Sequence, residues 1–116
     1  MSNREIIDGY TKAWIAADYD KVRSLLADDL DFQGSMEKHT SADAFMGGLK
    51  MFRDQMFESF HPLVRVDGQD TAFKLYDCGL KNGVMMRCAE YFKVEDGKIK
   101  TIRLVFDTAV LAPPQG

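Results

Sequence analysis

Two carboxylic acids, Asp77 and Glu90, interrupt mostly apolar alternating positions in segments that the sequence predicts as β-strands. Desolvation disfavours the charged form of an acid in an apolar interior, and a second acid nearby adds to this because like charges resist ionising together. Such acids are candidates for proton transfer near neutral pH. The structural alternative is that one acid lies in water at the rim, or that Glu90 is satisfied by a hydroxyl or by Lys100.

The pairing of the strands decides whether the two acids meet. An Asn-Gly dipeptide at positions 82–83 is typical of a two-residue type I′ hairpin turn, which predicts that Asp77 pairs with Cys88. In the next hairpin, a two-residue loop would place Glu90 on the face that carries the polar residues of the last strand. A three-residue loop places it opposite Ile102 and keeps the apolar residues of both strands on one face, so we adopt that register. The α-carbons of the two acids would then be roughly 7–8 Å apart.

The same register predicts which side chains face inward. An internal pocket would be lined by Trp14, Phe32, Phe73, Leu75, Met86, Cys88, Phe92, Ile102, Leu104 and Phe106. The outer face is less polar than a solvated face should be, which indicates that something covers it. It would carry Tyr76, Cys78, Leu80, Met85, Ala89, Tyr91 and Val105. The two cysteines would point to opposite faces of the sheet, so both are expected to be free thiols.

Helical patterns precede these strands. Ser2 and Glu5 have the spacing of a capping box before a first helix at about residues 3–17. Asp18 can cap a short second helix. Thr40, with an acid three residues further on, resembles the start of a third helix.

The strands complete an α+β pattern, in which helices come first and hairpins follow. A first strand is expected at residues 30–35, and the later ones at about 58–66, 71–80, 84–94 and 98–108. The chain is predicted to form one domain over residues 1–112, with a frayed tail at 113–116.

Composition argues against several classes of function. The net charge is -3 and there is no basic stripe, so a nucleic-acid partner is not expected. No apolar run approaches the ~20 residues of a membrane span, and the start is not of signal-peptide type, so we expect a cytoplasmic protein without a membrane partner. The two histidines, His39 and His61, are 22 positions apart, and neither a metal site nor a cofactor is predicted.

Short motifs at both ends of the chain resemble the nuclear transport factor 2-like superfamily, and the branch most similar is the SnoaL-like and ketosteroid isomerase group. The motifs are Ala-Asp-Tyr-Asp at 17–20, Leu-Ala-Asp-Asp at 26–29, Ala-Glu-Tyr-Phe at 89–92, Asp-Gly-Lys-Ile at 96–99 and Val-Phe-Asp at 105–107. The resemblance implies a cystatin-like cone, in which three N-terminal helices pack on a curved antiparallel sheet around an internal pocket. It also implies a homodimer through the outer sheet face.

The resemblance also suggests roles for single residues. Ketosteroid isomerases hold an oxyanion with a tyrosine and a protonated aspartic acid, while another aspartate moves the proton. The tyrosine corresponds to Tyr10 and the protonated acid to Glu90, but the base corresponds to Gly34, which has no side chain. Steroid isomerisation is therefore not implied, although Asp77 could be a relocated base. Related limonene epoxide hydrolases use an arginine between two aspartates, and no inward arginine aligned with that triad is found here.

Two hypotheses follow from these residues. The first is a cofactor-free isomerase, cyclase, dehydratase or hydrolase acting on a small apolar molecule, with Glu90 as acid or hydrogen-bond donor, Tyr10 as its partner and Asp77 as a possible base. The alternative is a non-catalytic ligand-binding or dimerisation module.

Overall fold

The structure, a computed structural model, describes residues 1–111, and the predicted tail at 113–116 lies outside them. The described chain contains the helices α1 (Asn3–Ile15), α2 (Tyr19–Leu25) and α3 (Ala42–Gln55) and ends in a short 3-10 helix, Thr108–Leu111. Its strands are β1 (Leu26–Gln33), β2 (Lys38–His39), β3 (Phe57–Asp67), β4 (Thr71–Leu80), β5 (Met85–Glu95) and β6 (Lys98–Phe106). These elements share one hydrophobic core.

Local side-chain contacts explain where the helices begin. The capping box of α1 is present as predicted, because the Ser2 hydroxyl accepts from the Glu5 amide at 3.1 Å and the Glu5 carboxylate accepts from the Ser2 amide at 3.3 Å. Asp18 caps α2. The N-cap of α3 is Ser41, one residue later than the predicted Thr40, since it is the Ser41 hydroxyl that accepts from the Ala44 amide.

The six strands of the described chain form one sheet in the order β2-β1-β6-β5-β4-β3. The sheet is mixed, because β1 runs parallel to β6 while the other neighbours are antiparallel. The α+β architecture agrees with the prediction, which did not include the parallel pair. On α1, the buried side chains form the stripe that packs on the inner face of the sheet: Ile6, Ile7, Tyr10, Ala13 and Trp14.

The register between β4 and β5 differs by one residue from the prediction. Leu80 donates its amide to Val84 and accepts from the Gly83 amide, each at 2.9 Å, so the loop between them has three residues rather than two. Gly83 takes a φ of +86°, a left-handed conformation that suits glycine at this position. Asp77 therefore pairs with Arg87, not with Cys88.

This slip turns every side chain of β4 to the opposite face. Phe73, Leu75, Asp77 and Gly79, predicted to face inward, lie on the outer face. The residues in between face the core: Ala72, Lys74, Tyr76, Cys78 and Leu80. Both cysteines, Cys78 and Cys88, are consequently buried on the same side of the sheet, where they remain free thiols. The prediction that they point to opposite faces was wrong, since it depended on the other register.

Between β5 and β6 the predicted face is correct, but its cause is different. Asp96 and Gly97 both have positive φ, 52° and 75°, and form a two-residue loop. A register shift next to Lys93 then restores the alternation, so that Glu90 lies opposite Leu104 rather than Ile102. The inward side of β5 is unchanged by this shift.

Candidate functional site

Glu90 faces the interior, as predicted, and is only 5% exposed. Its Oε1 accepts a hydrogen bond of 2.7 Å from the hydroxyl of Tyr76, which is also buried. Burial raises the pKa of Glu90 to about 7, against the opposing effects of the Tyr76 hydrogen bond and the positive charge of Lys74. The acid can therefore gain or lose a proton near neutral pH.

Tyr10, the predicted partner of Glu90, lies nearby on α1 but makes a different contact. Its ring packs edge-on against Phe92, with the ring centroids 5.6 Å apart. Burial and the charge of Glu90 raise the pKa of Tyr10 well above its ordinary value. Within residues 1–111, the tyrosine that donates to Glu90 is Tyr76. Sequence reasoning missed Tyr76 because the predicted register put it on the outer face.

Lys74 is a second residue that the sequence analysis missed. It is the direct cross-strand neighbour of Glu90 and is almost fully buried. Its Nζ donates to the Thr11 hydroxyl at 3.0 Å, lies 3.5 Å from Asp8 Oδ1 and sits 5.5 Å from the centroid of the Phe92 ring. Burial and the nearby Arg65 lower the pKa of Lys74. A lysine, a tyrosine and an acid thus meet on the inner face of β4 and β5.

A groove runs beside these residues, between α1 and the strands β3 and β4, and we call it the α1–β3 groove. Its volume is about 540 Å³. The polar part of its lining consists of Asp8, Thr11, Lys12, Arg65, Lys74 and Tyr76. The apolar part consists of Ile15, Phe60, Pro62, Leu63, Val64 and Leu75. Because Tyr76 lines the groove and donates to Glu90, the acid lies directly behind the groove wall.

Most of the residues predicted to line an internal pocket do not line a cavity but belong to the hydrophobic core. Six of its residues are buried in the hydrophobic core: Trp14, Phe32, Met86, Cys88, Phe92 and Ile102. Leu104 and Phe106 pack against that core. Phe73 is 43% exposed on the outer face, and Leu75 is the one predicted residue that lines the α1–β3 groove. Side chains of the described residues therefore fill the part of the interior where the pocket was expected, and the α1–β3 groove lies to one side of it.

Asp77 lies on the outer face, away from Glu90. It accepts two hydrogen bonds from the Arg87 guanidinium, at 2.9 and 3.1 Å, and these bonds lower its pKa. Its neighbour on β3 is His61, whose Nε2 is 2.9 Å from the Ser59 hydroxyl. Asp77 cannot act as a base on a ligand held beside Glu90, because the sheet separates them.

An arginine between two carboxylates is nevertheless present at the rim of the groove. Arg65 donates to Asp67 through Nε at 2.9 Å and to Asp8 through Nη1. The sequence does not predict this inward arginine, because strict alternation places Arg65 on the same outer side as His61. A register shift between Pro62 and Val64 turns Arg65 inward.

Gly34, at the position that corresponds to the isomerase base, follows the end of β1 and has no side chain that could move a proton. Gly34 donates its amide to the Glu37 carbonyl at 2.7 Å. A Cβ built there would meet the ring of Phe32 at 3.0 Å, so a larger residue would require that ring to move. Residues 1–111 contain no group of three side chains placed to hold a metal ion.

Three helices packed on a six-stranded mixed sheet are the architecture that this chain shares with nuclear transport factor 2-like proteins. The model of the SnoaL-like domain family matches residues 7–102, and the chain therefore belongs to that family. No curated protein matches this chain. Among the described helices, none has the length and hydropathy needed to cross a bilayer.

Solved structures share this fold at low sequence identity. A protein from Kribbella flavida DSM 17836 has a TM-score of 0.86 and 23% identity, over 92% of this chain and 88% of that one. An NTF2-like protein of unknown function from Cytophaga hutchinsonii ATCC 33406 has a TM-score of 0.81 and 17% identity, over 96% and 95%. An LEH-like epoxide hydrolase from M. tuberculosis has a TM-score of 0.76 and 20% identity, over 90% and 82%. At such identities the likeness concerns the fold, and a fold does not by itself carry an activity.

Proposed function

We propose that this protein binds a small, mainly apolar molecule in the α1–β3 groove and transfers a proton to it from Glu90 through Tyr76. Isomerisation, cyclisation, dehydration and hydrolysis are the reaction types that such a proton transfer serves. The observation that carries the proposal is the 2.7 Å hydrogen bond between a buried acid of pKa about 7 and a tyrosine that lines the groove.

The size and lining of the groove support a small-molecule ligand. Its volume of about 540 Å³ falls within the range usual for such sites. Phe60, Pro62 and Leu63 form an apolar wall, and the hydroxyl and ammonium groups converge at the other side. This combination of an apolar wall with a few polar groups is typical of sites that orient a ligand.

The chemistry follows from the two protonation states of Glu90. When Glu90 is ionised, it accepts the Tyr76 proton, and the hydroxyl is directed away from the groove. When Glu90 is protonated, its own O–H can donate to the tyrosine oxygen, and the phenolic proton is then free to point at a ligand oxygen. A transfer moves one proton from Tyr76 to the ligand and one from Glu90 to Tyr76, which leaves a glutamate carboxylate. No cofactor takes part in these steps.

The first test is a carboxyl-carbon NMR titration of Glu90, assigned with the Glu90→Gln variant. An apparent pKa near 7 is expected, and ionisation near pH 4, the reference region for free carboxyls, would remove the basis for catalysis. The second test is native mass spectrometry for a co-purified small molecule. We expect the Ile15→Phe variant, which fills the groove, to lose it, while Glu58→Gln, an exposed site on β3, keeps it. Retention by the groove-filling variant would count against this binding site.

A second candidate function, a dimerisation module, is favoured by the outer face of the sheet. Tyr76, Cys78 and Leu80, which were predicted on this face, lie on the inner face instead. An unbroken apolar row still crosses four strands of the outer face, namely Val64, Leu75, Ala89 and Val105. A parallel row begins with Val66, Phe73 and Tyr91. Val105 is 64% exposed, and an exposed apolar patch of this kind is typical of a protein–protein contact surface.

A second copy of this chain is the occupant we propose for that face, because a two-fold contact lets the same apolar row cover itself. Light scattering at micromolar concentration should give the mass of a dimer. Val105→Lys should shift the mass toward a monomer, whereas Met51→Lys, at an exposed apolar site on α3, should not. A monomeric mass for the unaltered chain would contradict the dimer but would leave the groove proposal intact.

A further inference from the structure

The polar side of the α1–β3 groove is cationic, although the chain as a whole has a net charge of -3. Three cationic side chains line it, Lys12, Arg65 and Lys74, against one anionic side chain, Asp8. At the edge, Arg4 and Asp67 are 3.4 Å apart and offset each other. The groove therefore has a local excess of positive charge beside an apolar wall.

Two of these cations converge on a single oxygen. Arg65 Nη1 and Lys74 Nζ both contact Asp8 Oδ1, the latter at 3.5 Å. The carboxylate of Asp8 is 43% exposed, so it is held at the groove surface and is not fixed in the core. The groove thus already binds one carboxylate, supplied by its own helix, at the point where a ligand's charged group would meet both cations.

Arg65 has donor capacity to spare. Its Nη2 lies 2.8 Å from Asp67 Oδ1, yet the atom is buried and donates no hydrogen bond to any described residue. A guanidinium offers five N–H donors and pairs best with a carboxylate in a two-bond fork. Exchange of Asp8 for an external carboxylate, with a small rotation of the guanidinium, would give Nη2 an acceptor.

Lys74 also has reason to take an anion. Burial and the repulsion from Arg65 lower its pKa, and a second negative charge beside it would offset both effects because it favours the ammonium form. The titratable and charged groups that face Lys74 are Asp8 on α1, Arg65 on β3 and Glu90 on β5.

We infer that the ligand of the α1–β3 groove is an apolar carboxylic acid, whose carboxylate binds Lys74 and Arg65 in competition with Asp8 while its apolar body lies along Phe60, Pro62 and Leu63. This inference rests on the proposed function, since it names the class of ligand for the same groove. It places the charged group of the ligand at one end, next to the Tyr76 hydroxyl, where proton transfer is proposed.

The test compares three probes with the same apolar body: 4-phenylbutyrate, the neutral 4-phenylbutanamide and the cationic 4-phenylbutylamine. Isothermal titration calorimetry at low salt should show the acid binding at least ten-fold more tightly than the amide, and the amine most weakly. Lys74→Met and Arg65→Gln should bring the acid-to-amide ratio close to one. Lys12→Gln removes the same charge from the lining but no convergent contact, so it should change the ratio much less.

Asp8→Asn gives the sharpest variant, because it removes the competing carboxylate. Affinity for the acid should rise several-fold, and affinity for the amide should stay unchanged. Equal binding of acid and amide by the unaltered protein would overturn this inference and leave groove binding intact. Failure of all three probes to bind would refute the groove itself, and the ligand class with it. The comparison of probes on the unaltered chain decides the matter even if Arg65→Gln does not fold.

Discussion

The two faces of the sheet carry two acids on neighbouring strands, and the acids behave in opposite ways. On the inner face, burial raises the pKa of Glu90 to about 7. On the outer face, the Arg87 guanidinium lowers the pKa of Asp77. The same functional group can thus hold a proton near neutral pH on the inner face and is an anion there on the outer face, because burial disfavours the charge of Glu90 and a cation favours that of Asp77.

The surroundings of the two acids differ as much as their pKa values do. The inner acid has a hydroxyl and an ammonium beside it and a groove behind them, whereas the outer acid is neutralised at the surface. A candidate for acid–base catalysis must keep a proton available near neutral pH, and of these two acids Glu90 is the one whose pKa allows this. The comparison can be tested by changing each face in turn.

The largest expected effect is on the pH dependence of stability through Glu90. Its pKa of about 7 in the folded state exceeds the ordinary value of 4.5, so the folded state binds the proton more tightly than the unfolded state. The stabilisation is fully present below pH 4.5 and is lost as the pH rises through 7. The loss amounts to about 3 kcal/mol in the free energy of unfolding.

Urea unfolding at pH 4.5 and pH 7.5 measures this loss, with Glu90→Gln as the reference because it cannot ionise. The stability of the unaltered protein relative to the variant should fall by about 3 kcal/mol between the two pH values. Contributions of other carboxylates are shared by both proteins and cancel in the difference. A difference independent of pH would show that Glu90 is solvated.

Removal of the Tyr76 hydroxyl is the next largest change. Tyr76→Phe takes away the hydrogen bond that favours the ionised form, so the pKa of Glu90 should rise above 7. At pH 8 the charged acid loses its donor, and the protein should be destabilised by about 1–3 kcal/mol.

Tyr10→Phe is the matched control for that change. It also removes a tyrosine hydroxyl, and Tyr10 is buried as Tyr76 is. Within the described chain, however, Tyr10 donates no hydrogen bond to Glu90. The NMR titration of Glu90 should therefore be unchanged in this variant. A similar response to both substitutions would mean that the hydroxyl of Tyr76 has no special role.

The sequence was informative about the inner face of β5 and uninformative about that of β4, for a physical reason. On β5 the buried apolar residues alternate with polar ones such as Arg87 and Lys93, so only one orientation buries the apolar set. On β4 both alternating sets are largely apolar. The set with Tyr76 and the set with Phe73 could each face the core, and hydrophobicity could not choose between them.

The predicted orientation of β4 therefore depended on the length of the loop between β4 and β5, and that length was predicted wrongly. Asn-Gly at positions 82–83 is a strong signal for a two-residue turn, yet Gly83 serves here as the left-handed residue of a three-residue loop. The one additional loop residue shifts the register, so that Lys74 and Tyr76 lie at the site and not on the outer face where they were predicted. Arg65 escaped prediction in the same way, since an irregularity in β3 breaks strict alternation.

The smallest expected effect comes from the outer acid. Asp77→Asn breaks an ion pair whose arginine is 66% exposed, so the unfolding free energy at pH 7 should change only slightly, and by less than in the Tyr76→Phe variant. The sign of its pH dependence is opposite to that of Glu90. A lowered pKa in the folded state gives stabilisation that is present above the unfolded value of 3.8 and lost as the pH falls.

This is checked by measuring the free energy of unfolding of the unaltered chain, Asp77→Asn and Arg87→Gln at pH 3 and pH 7. At pH 7 both variants should be less stable than the unaltered chain by the same small amount, and at pH 3 that difference should be smaller. A loss comparable to that of Glu90 would mean that the Asp77–Arg87 pair is shielded from water.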